Sequence, residues 1–519
     1  MSNFDVLIVG MGPVGATGAL LLAEAGLEVA IVERDREVYR LPRAVNLDGE
    51  IVRAFQRYGR GDQVHALMQP VREDDRAGFA NSRREWLFGT PFVEFGANGW
   101  QPMNMFDQPE LEAYIRSEAL AHRRVTAYLG YEASAPVDTG TAVLVTATDI
   151  DGSGTVELSG RYLIACDGAS SATRRALDIA WQSLGYDHDW LVVDVVAKEG
   201  HTLNHDTLQV CDPDRLVTYV CTKDPYRRWE FRMNSGETAE QMLDPETINA
   251  LLDPWTPRGT YEIRRKAVYQ FHAATASAWR SGNCFIAGDA AHQTPPFLGQ
   301  GMNAGMRDVI NLGWKLPMVL NGTADDGLLD TYQQERDAHA RDLVEWAVAI
   351  GRLMEHLADV ELAERRAQPS PDTPAGLQSS GYGQGREQPA IRQGAVVLEQ
   401  VNDKGSTGCL FRQPMVRDQA GKETRLDDLL GPGFALVARQ ASDIQLSKAS
   451  RQTLDTLGAR TVTLEGLEAS RGHFDRLFEH SAAAIVRPDR IVFGHTTDTL
   501  NLDELIATLS GKLRLNTAA

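Results

Sequence analysis

The 519-residue chain has few cysteines, five in all (Cys166, Cys211, Cys221, Cys284 and Cys409), with no CxxC pair and no metal-ligand spacing. A disulfide framework and a zinc site are not suggested, and a reducing cytoplasm is the expected setting. The chain also lacks an apolar run long enough to span a bilayer, and its opening MSNFDVLIVG shows no basic n-region or cleavage site. The expectation is a soluble, unexported protein without a membrane partner. Positive charge is in deficit: 52 Lys and Arg stand against 71 Asp and Glu, a formal net charge of -19. No overall field would draw in phosphate backbones, so nucleic acid is not expected as a partner. The remaining composition, 43% hydrophobic and 24% charged, is ordinary for a globular protein long enough for two or three domains.

The chain opens with DVLIVGMGPVGATGALLLAEAGLEVAIVERD, which reads strand, glycine turn, helix, strand. Gly10 permits a tight turn, Gly12 lets a pyrophosphate approach the backbone, and Gly15 allows helix and strand to pack closely. Pro13 suits an early helical position, where a missing N–H costs little. Glu33 ends the second strand, placed to accept hydrogen bonds from ribose hydroxyls and to repel a 2′-phosphate, with Arg34 beside it. FAD and NAD are the candidate occupants.

A second informative stretch, GDAAHQTPPFLGQGMNAGMRDVINLGWK, spans residues 288 to 315. The short run CFIA before it reads as a buried strand, which puts Asp289 at a strand's carboxyl end, where ligands of α/β sheets gather. Pro295 and Pro296 stiffen the chain, Gly299 and Gly301 allow close backbone approach, and a helix start follows. A ligand touching both this stretch and the N-terminal turn must be long, and FAD is long enough.

GMGPVG with Glu33, YLIACDGASSATRR (162 to 175) and FIAGDAAHQTPPFLGQGMNAGMRD (285 to 308) together resemble the single-component flavoprotein aromatic hydroxylases, the family of p-hydroxybenzoate and phenol hydroxylases. PRAVNLDGE (42 to 50), FDQPELEAYI (106 to 115), RRWEFRMNSGE (227 to 237) and LLDTYQQERDAHA (328 to 340) are most similar to its branch acting on 3-(3-hydroxyphenyl)propionate. The resemblance implies an FAD-dependent aromatic monooxygenase in aromatic catabolism, in which NAD(P)H visits transiently and O2 adds at the flavin C4a to form a hydroperoxide that hydroxylates a phenol. It places Gly288 and Asp289 at the FAD ribityl chain and the turn from Gly299 through Gly301 and Met302 to Asn303 at the isoalloxazine. Asp167, Gly168 and Arg174 belong to a motif tied to FAD and NAD(P)H, and Arg43 and Gln108 fall where the family has flavin contacts. Asp48 is the expected base for the phenol, a helix N-cap being the other reading of that residue. Pro295, Pro296, Phe297 and Met302 are expected to keep water from the flavin, Tyr219 and Phe231 to touch the ring, and Arg227 or Arg228 to hold a substrate carboxylate.

The expected architecture is an α/β FAD-binding Rossmann-like domain of glutathione-reductase type (1–180 and 276–365), with an inserted β-sheet substrate domain (181–275 and part of 70–105). A Pro/Gly/Ser-rich linker (366–390) leads to a thioredoxin-like domain (391–519) without CxxC, read as βαβαββα with helices near 444–457 and 470–480. That domain suggests a structural or homodimer-contact role. Alternatives are a hydroxylase or Baeyer-Villiger enzyme of a larger polycyclic or polyketide phenol, and a redox-silent flavoprotein serving protein assembly.

Overall fold

The computed structural model of the protein describes residues 2–366, 388–401 and 406–516. Most of the expected linker, 366–390, lies outside the described residues. The opening apolar run is the strand Ser2–Val9, in which Val6, Leu7 and Ile8 are all buried because both faces of its sheet are covered. The parallel core runs in the order Cys284–Ile286, Thr155–Ala165, Ser2–Val9, Val29–Glu33, Val125–Leu129. Helices Pro13–Glu24 and Gly301–Leu320 pack against each other over it. Their approach is close: a Cβ on Gly18 would lie 3.2 Å from the Val309 side chain. Both glycine-rich stretches therefore open at the same, carboxyl-terminal edge of the sheet.

A second sheet, almost wholly antiparallel, has the order His292–Gln293, Tyr261–Ala276, Trp181–Ala197, Tyr226–Arg232, Val217–Cys221, Thr207–Val210, Arg76–Ala80, Trp86–Pro91. Its sequence alternates because its two faces meet different things. One face packs Leu191, Val193, Tyr219, Trp229 and Phe231 against the short helices Ala239–Met242 and Pro245–Leu252. The other faces the glycine turns and the 36-residue helix Asp330–Arg365, whose Val344, Ala347, Val348 and Met354 pack with Phe79, Tyr186, Trp190 and Phe297. Each large side chain so buried contributes about 1.5–3 kcal/mol, which holds the sheet at a set distance from the glycine turns.

The C-terminal strands run in the order Arg460–Thr463, Ala435–Ala438, Ala483–Val486, Val492–His495, the first pair parallel and the others antiparallel. Helices Lys448–Thr456 and Leu502–Lys512 accompany them. The helix expected near 470–480 is not formed: a strand, Glu468–Arg471, and a single 3-10 turn, Arg476–Glu479, stand there. The strand pairs with Met415–Arg417, a partner remote in sequence, and that ladder overrides local helical spacing.

This C-terminal unit is joined to the rest by buried charge. Asp427 receives both Arg53 (2.7 Å) and Arg490 (2.8 Å), and Glu335 receives Lys315 (2.9 Å) and Arg487 (2.8 Å). These cations hold both carboxyls down at about 2 against the opposing effect of burial.

Candidate active site

At the N-terminal turn the three glycines have different work to do. Gly10 sits at φ 95°, and a Cβ there would lie 2.5 Å from the Cys166 carbonyl oxygen. A Cβ on Gly15 would overlap the Gly10 carbonyl. Gly12 is the opposite case, since a Cβ there would meet no protein atom within 4 Å. That open side faces the start of a helix that has Pro13 in its first turn and no side-chain cap, leaving N–H groups for an anion. Glu33 closes the turn by accepting from the backbone of Met11 (2.5 Å) and Asp35 (2.8 Å). Arg34 is exposed, its nearest ionic partner being Asp35 at 3.9 Å.

Further along the crevice, Asp167 Oδ2 accepts from Thr173 N (2.9 Å), while its Oδ1 is buried with no partner among the described residues. Gly168 follows at φ 78°. Arg174 donates to Ile179 O (2.6 Å) and lies over Trp181, yet its Nε is also buried and, among the described residues, unpaired. A buried polar atom without a partner costs about 1–3 kcal/mol, so two such atoms beside one crevice mark where a ligand's polar groups belong. Asp289 follows the strand Cys284–Ile286 and Gly288, exposed toward the crevice and enclosed by protein elsewhere. That enclosure raises its carboxyl above the ordinary range.

The segment 42–44 is fixed from both sides. Gln108 Oε1 accepts from Arg43 N (2.9 Å) and Ala44 N (2.6 Å), so this side chain holds the loop, and the Arg43 side chain is left exposed. Across the crevice, Gly299 turns at φ 60° and leads through Gln300 into helix Gly301–Leu320, which has no side-chain cap. Gly301 and Met302 are partly exposed there. Asn303 clips this helix start to the strand Asn46–Asp48, accepting from Asp48 N (2.9 Å) and donating to Asn46 O (3.0 Å) and Gly299 O (2.9 Å). Pro295 and Pro296 precede Phe297, which is buried against Trp190 (5.3 Å) and Tyr186 (5.7 Å).

Four expectations need correcting. Asp48 stands at the N-cap position of helix Gly49–Gln56, but its side chain makes no capping hydrogen bond. Its carboxylate instead accepts from Asn46 (3.1 Å), Gln300 (3.0 Å), Gln388 (3.1 Å) and Arg307, so both of its oxygens are already taken up by protein donors. Tyr219 and Phe231 lie on the far face of the second sheet, Tyr219 stacking on Trp255 and donating to Asn204 O (2.6 Å). Arg228 does face the crevice, but its guanidinium is engaged by Asp194 (2.7 Å) and by the carbonyls of Arg43 (2.6 Å) and Pro42 (2.9 Å). Arg227 points the other way, to Asp224 (2.8 Å) and Asn204 O.

The crevice face of that sheet carries residues that the sequence reading passed over. In one lateral row Val192 pairs with Glu230, Glu230 with Thr218, Thr218 with Gln209 and Gln209 with Phe79. Thr218 donates to Gln209 Oε1 (2.7 Å), and Gln209 donates to Phe297 O (3.4 Å). The alternation of YRRWEFR separates 228 and 230 from 227, 229 and 231; the sequence carries no mark of which set meets the crevice.

The unpaired Asp167 and Arg174 atoms, the open side of Gly12, the exposed Asp289 and the uncapped helix start fit a long dinucleotide with a flat redox-active ring. The family model described as FAD binding domain matches residues 3–347. The chain belongs to that family. The model of the HcaD C-terminal domain matches residues 408–512. The 3-(3-hydroxy-phenyl)propionate/3-hydroxycinnamic acid hydroxylase of Mycobacterium sp. (strain JLS) is 34% identical over 95% of this chain and 89% of its own. A probable NADH-specific resorcinol 4-hydroxylase of Rhodococcus jostii (strain RHA1) is 32% identical over 98% and 95%. Aklavinone-11 hydroxylase, solved with FAD and aklavinone, superposes with a TM-score of 0.79 at 25% identity, covering 98% of this chain and 99% of that one. The protein is an FAD-dependent aromatic hydroxylase with the FAD-binding monooxygenase fold. Among the described residues no helix is long and apolar enough to cross a membrane.

Proposed function

We propose that the substrate is a monocyclic phenol with a short acidic side chain, of the 3-(3-hydroxyphenyl)propionate kind, hydroxylated with O2 and NAD(P)H in the cytoplasm. The observation that carries the reading is the single crevice onto which the Gly10–Gly15 turn, the Asp167 motif, Asp289 and the Gly301 helix start all open. FAD, when bound, supplies the redox chemistry that activates oxygen. Gly10, Gly12, Pro13, Gly15 and Glu33, with Arg34 at the rim, would hold its adenosine and pyrophosphate. Arg43, Gln108, Asp167, Gly168, Arg174, Gly288 and Asp289 would line its middle, and the backbone of Gly299, Gly301, Met302 and Asn303 would face its pyrimidine edge, where helix N–H groups stabilise negative charge. Pro295, Pro296 and Phe297, with Trp190 and Tyr186, would form the dry aromatic wall beside the substrate.

On this reading residues 1–180 and 276–365 make up the FAD-binding domain, and 181–275 with part of 70–105 the substrate domain. The unit from 391 would be a thioredoxin-like domain without redox function; its strand order and two helices support this, and its lone Cys409 gives it no CxxC. It would serve as a fixed cover and as a contact in a homodimer. Anaerobic stopped-flow bleaching of the flavin by NADH and NADPH tests the reading, with 3-(3-hydroxyphenyl)propionate, resorcinol and a polycyclic phenol as effectors. The propionate should accelerate bleaching most. Acceleration by the polycyclic phenol alone would move the substrate to that class, and no bleaching under any condition would sink the reading.

A further inference from the structure

A phenol ring is a weak nucleophile near neutral pH because its hydroxyl ionises only near about pH 10. A group that takes this proton is therefore required, and the buried acids around the crevice can be compared one by one. Asp48 is held by four donors, as above. Glu50 is ion-paired with Arg307, Asp194 with Arg228 and Arg265, and Asp308 with Arg336 and His292. Asp167, which accepts from Thr173 N (2.9 Å), and Asp289 both lie on the opposite side, at the ends of strands of the parallel sheet. Glu230 is the exception: it is 3% exposed, accepts no hydrogen bond from a described residue, and its nearest cation, Arg228, is 3.9 Å away.

Its position is bracketed from two directions. Arg228, two residues back on the same face of the strand, reaches the carbonyls of Pro42 and Arg43. Gln209, two strands along in the same row, reaches the carbonyl of Phe297. Glu230 thus lies on the sheet floor between the 42–43 segment and the Phe297 turn, the two loops that flank the proposed flavin edge. We infer that Glu230 is the catalytic base that accepts the phenolic proton of the substrate; this rests on the hydroxylase reading above. The phenol O–H bond breaks, its electron pair stays on the phenol oxygen, and the proton forms an O–H bond on Glu230.

The surrounding charge suits that transfer. Arg228, Asp194 on the strand Trp181–Ala197, and Arg265 with Tyr269 on the strand Tyr261–Ala276 are the ionisable groups packed around it. Two arginines oppose two acids, so moving the negative charge from Glu230 to a neighbouring phenolate keeps the cluster balanced. Burial pushes the Glu230 carboxyl up to about 7, with Arg228 opposing, which poises it between its two forms near neutrality.

The test reads the pH profile of hydroxylation against that of flavin reduction. With 3-(3-hydroxyphenyl)propionate bound, single-turnover hydroxylation by the reduced FAD-holoenzyme after mixing with O2 is followed from about pH 6 to about pH 9, beside anaerobic reduction of the flavin by NADH and NADPH. In the wild type hydroxylation should rise with pH through a midpoint at about 7, as Glu230 gives up its proton. In Glu230→Gln that midpoint should vanish and hydroxylation should slow about 100-fold at neutral pH, with flavin reduction unchanged. An unchanged midpoint and rate of hydroxylation in Glu230→Gln overturns the inference. Should that variant fail to retain FAD, Glu230→Asp carries the test, since a carboxyl one methylene back should shift the midpoint, and an unchanged profile there overturns the inference equally. Failure of the hydroxylase reading looks different: no tested phenol then perturbs the wild-type flavin at all.

Discussion

Two regions of this molecule bury charge, and they do it in opposite ways. At the seam with the C-terminal unit every carboxylate is matched: Asp427 sits between Arg53 and Arg490, Glu335 between Lys315 and Arg487, and Asp489 takes Arg487 and Trp314 Nε1. In the crevice, among the described residues, Asp167 Oδ1 and Arg174 Nε have no partner, Asp289 is open, and the cation nearest to Glu230 is 3.9 Å away. The seam is built to stay shut, because a paired buried ion is costly to separate. The crevice is left incomplete, and incompleteness at fixed geometry is what a bound cofactor and substrate require.

Breaking the seam should have the largest effect. Glu335→Ala leaves buried Lys315 without its counter-ion and Arg487 with Asp489 alone, and should cost about 3–5 kcal/mol in chemical denaturation; a loss under about 1 kcal/mol would show that pairing does not hold the seam. The same logic sets its acid limit. Because the folded carboxyls of Glu335 and Asp427 are lowered to about 2, their contribution is complete above the ordinary carboxylate value of about 4 and is lost as pH falls from there through 2.

The crevice should respond with the reverse sign. Glu230 is raised, so the folded protein retains a proton that the unfolded chain gives up at about pH 4, and stability falls as pH climbs from there to about 7. Glu230→Gln removes that penalty: it should match wild type near pH 4 and exceed it by about 3 kcal/mol at pH 8. Equal stability at both pH values would mean that Glu230 is not raised. Asp48→Asn tests the group that belongs in character to the seam, since its carboxylate faces Arg307; a loss of about 1–3 kcal/mol is expected in thermal or chemical unfolding, and a gain in stability would reverse that assignment.

The smallest effect sharpens the contrast most. Gly12→Ala meets no protein atom, so apoprotein melting should not change while FAD binds about tenfold more weakly. Unchanged FAD affinity, measured by fluorescence titration, would place the pyrophosphate elsewhere.

How much of this was legible in advance differs by residue. Gly10, Gly15 and the strand before them were readable because their requirements are local: a positive φ and a carbonyl too close for any Cβ. Asp289 was readable because it follows an apolar strand directly. The helix expected near 470–480 was misread because the partner of Glu468–Arg471 lies some fifty residues earlier. Asp48 looked like a base or a cap because Arg307 and Gln300 are more than 250 residues away in the chain.

By itself, then, the sequence determined the strand–turn–helix segments and the alternation of the second sheet, which depend on neighbours within a few residues, and the cofactor class, which took glycine-rich stretches from both ends of the FAD-binding region read together. The tertiary structure alone decided which phase of that alternation faces the crevice. Tyr219 and Phe231, aromatic and plausible, went to the far core, and Glu230, an unremarked acid inside RWEFR, went to the floor of the site. Period-two alternation has no preferred side until the sheet is docked, and docking was set by contacts from remote parts of the chain: Arg228 on the 42–43 carbonyls and the Asp330–Arg365 helix on Trp190 and Phe297.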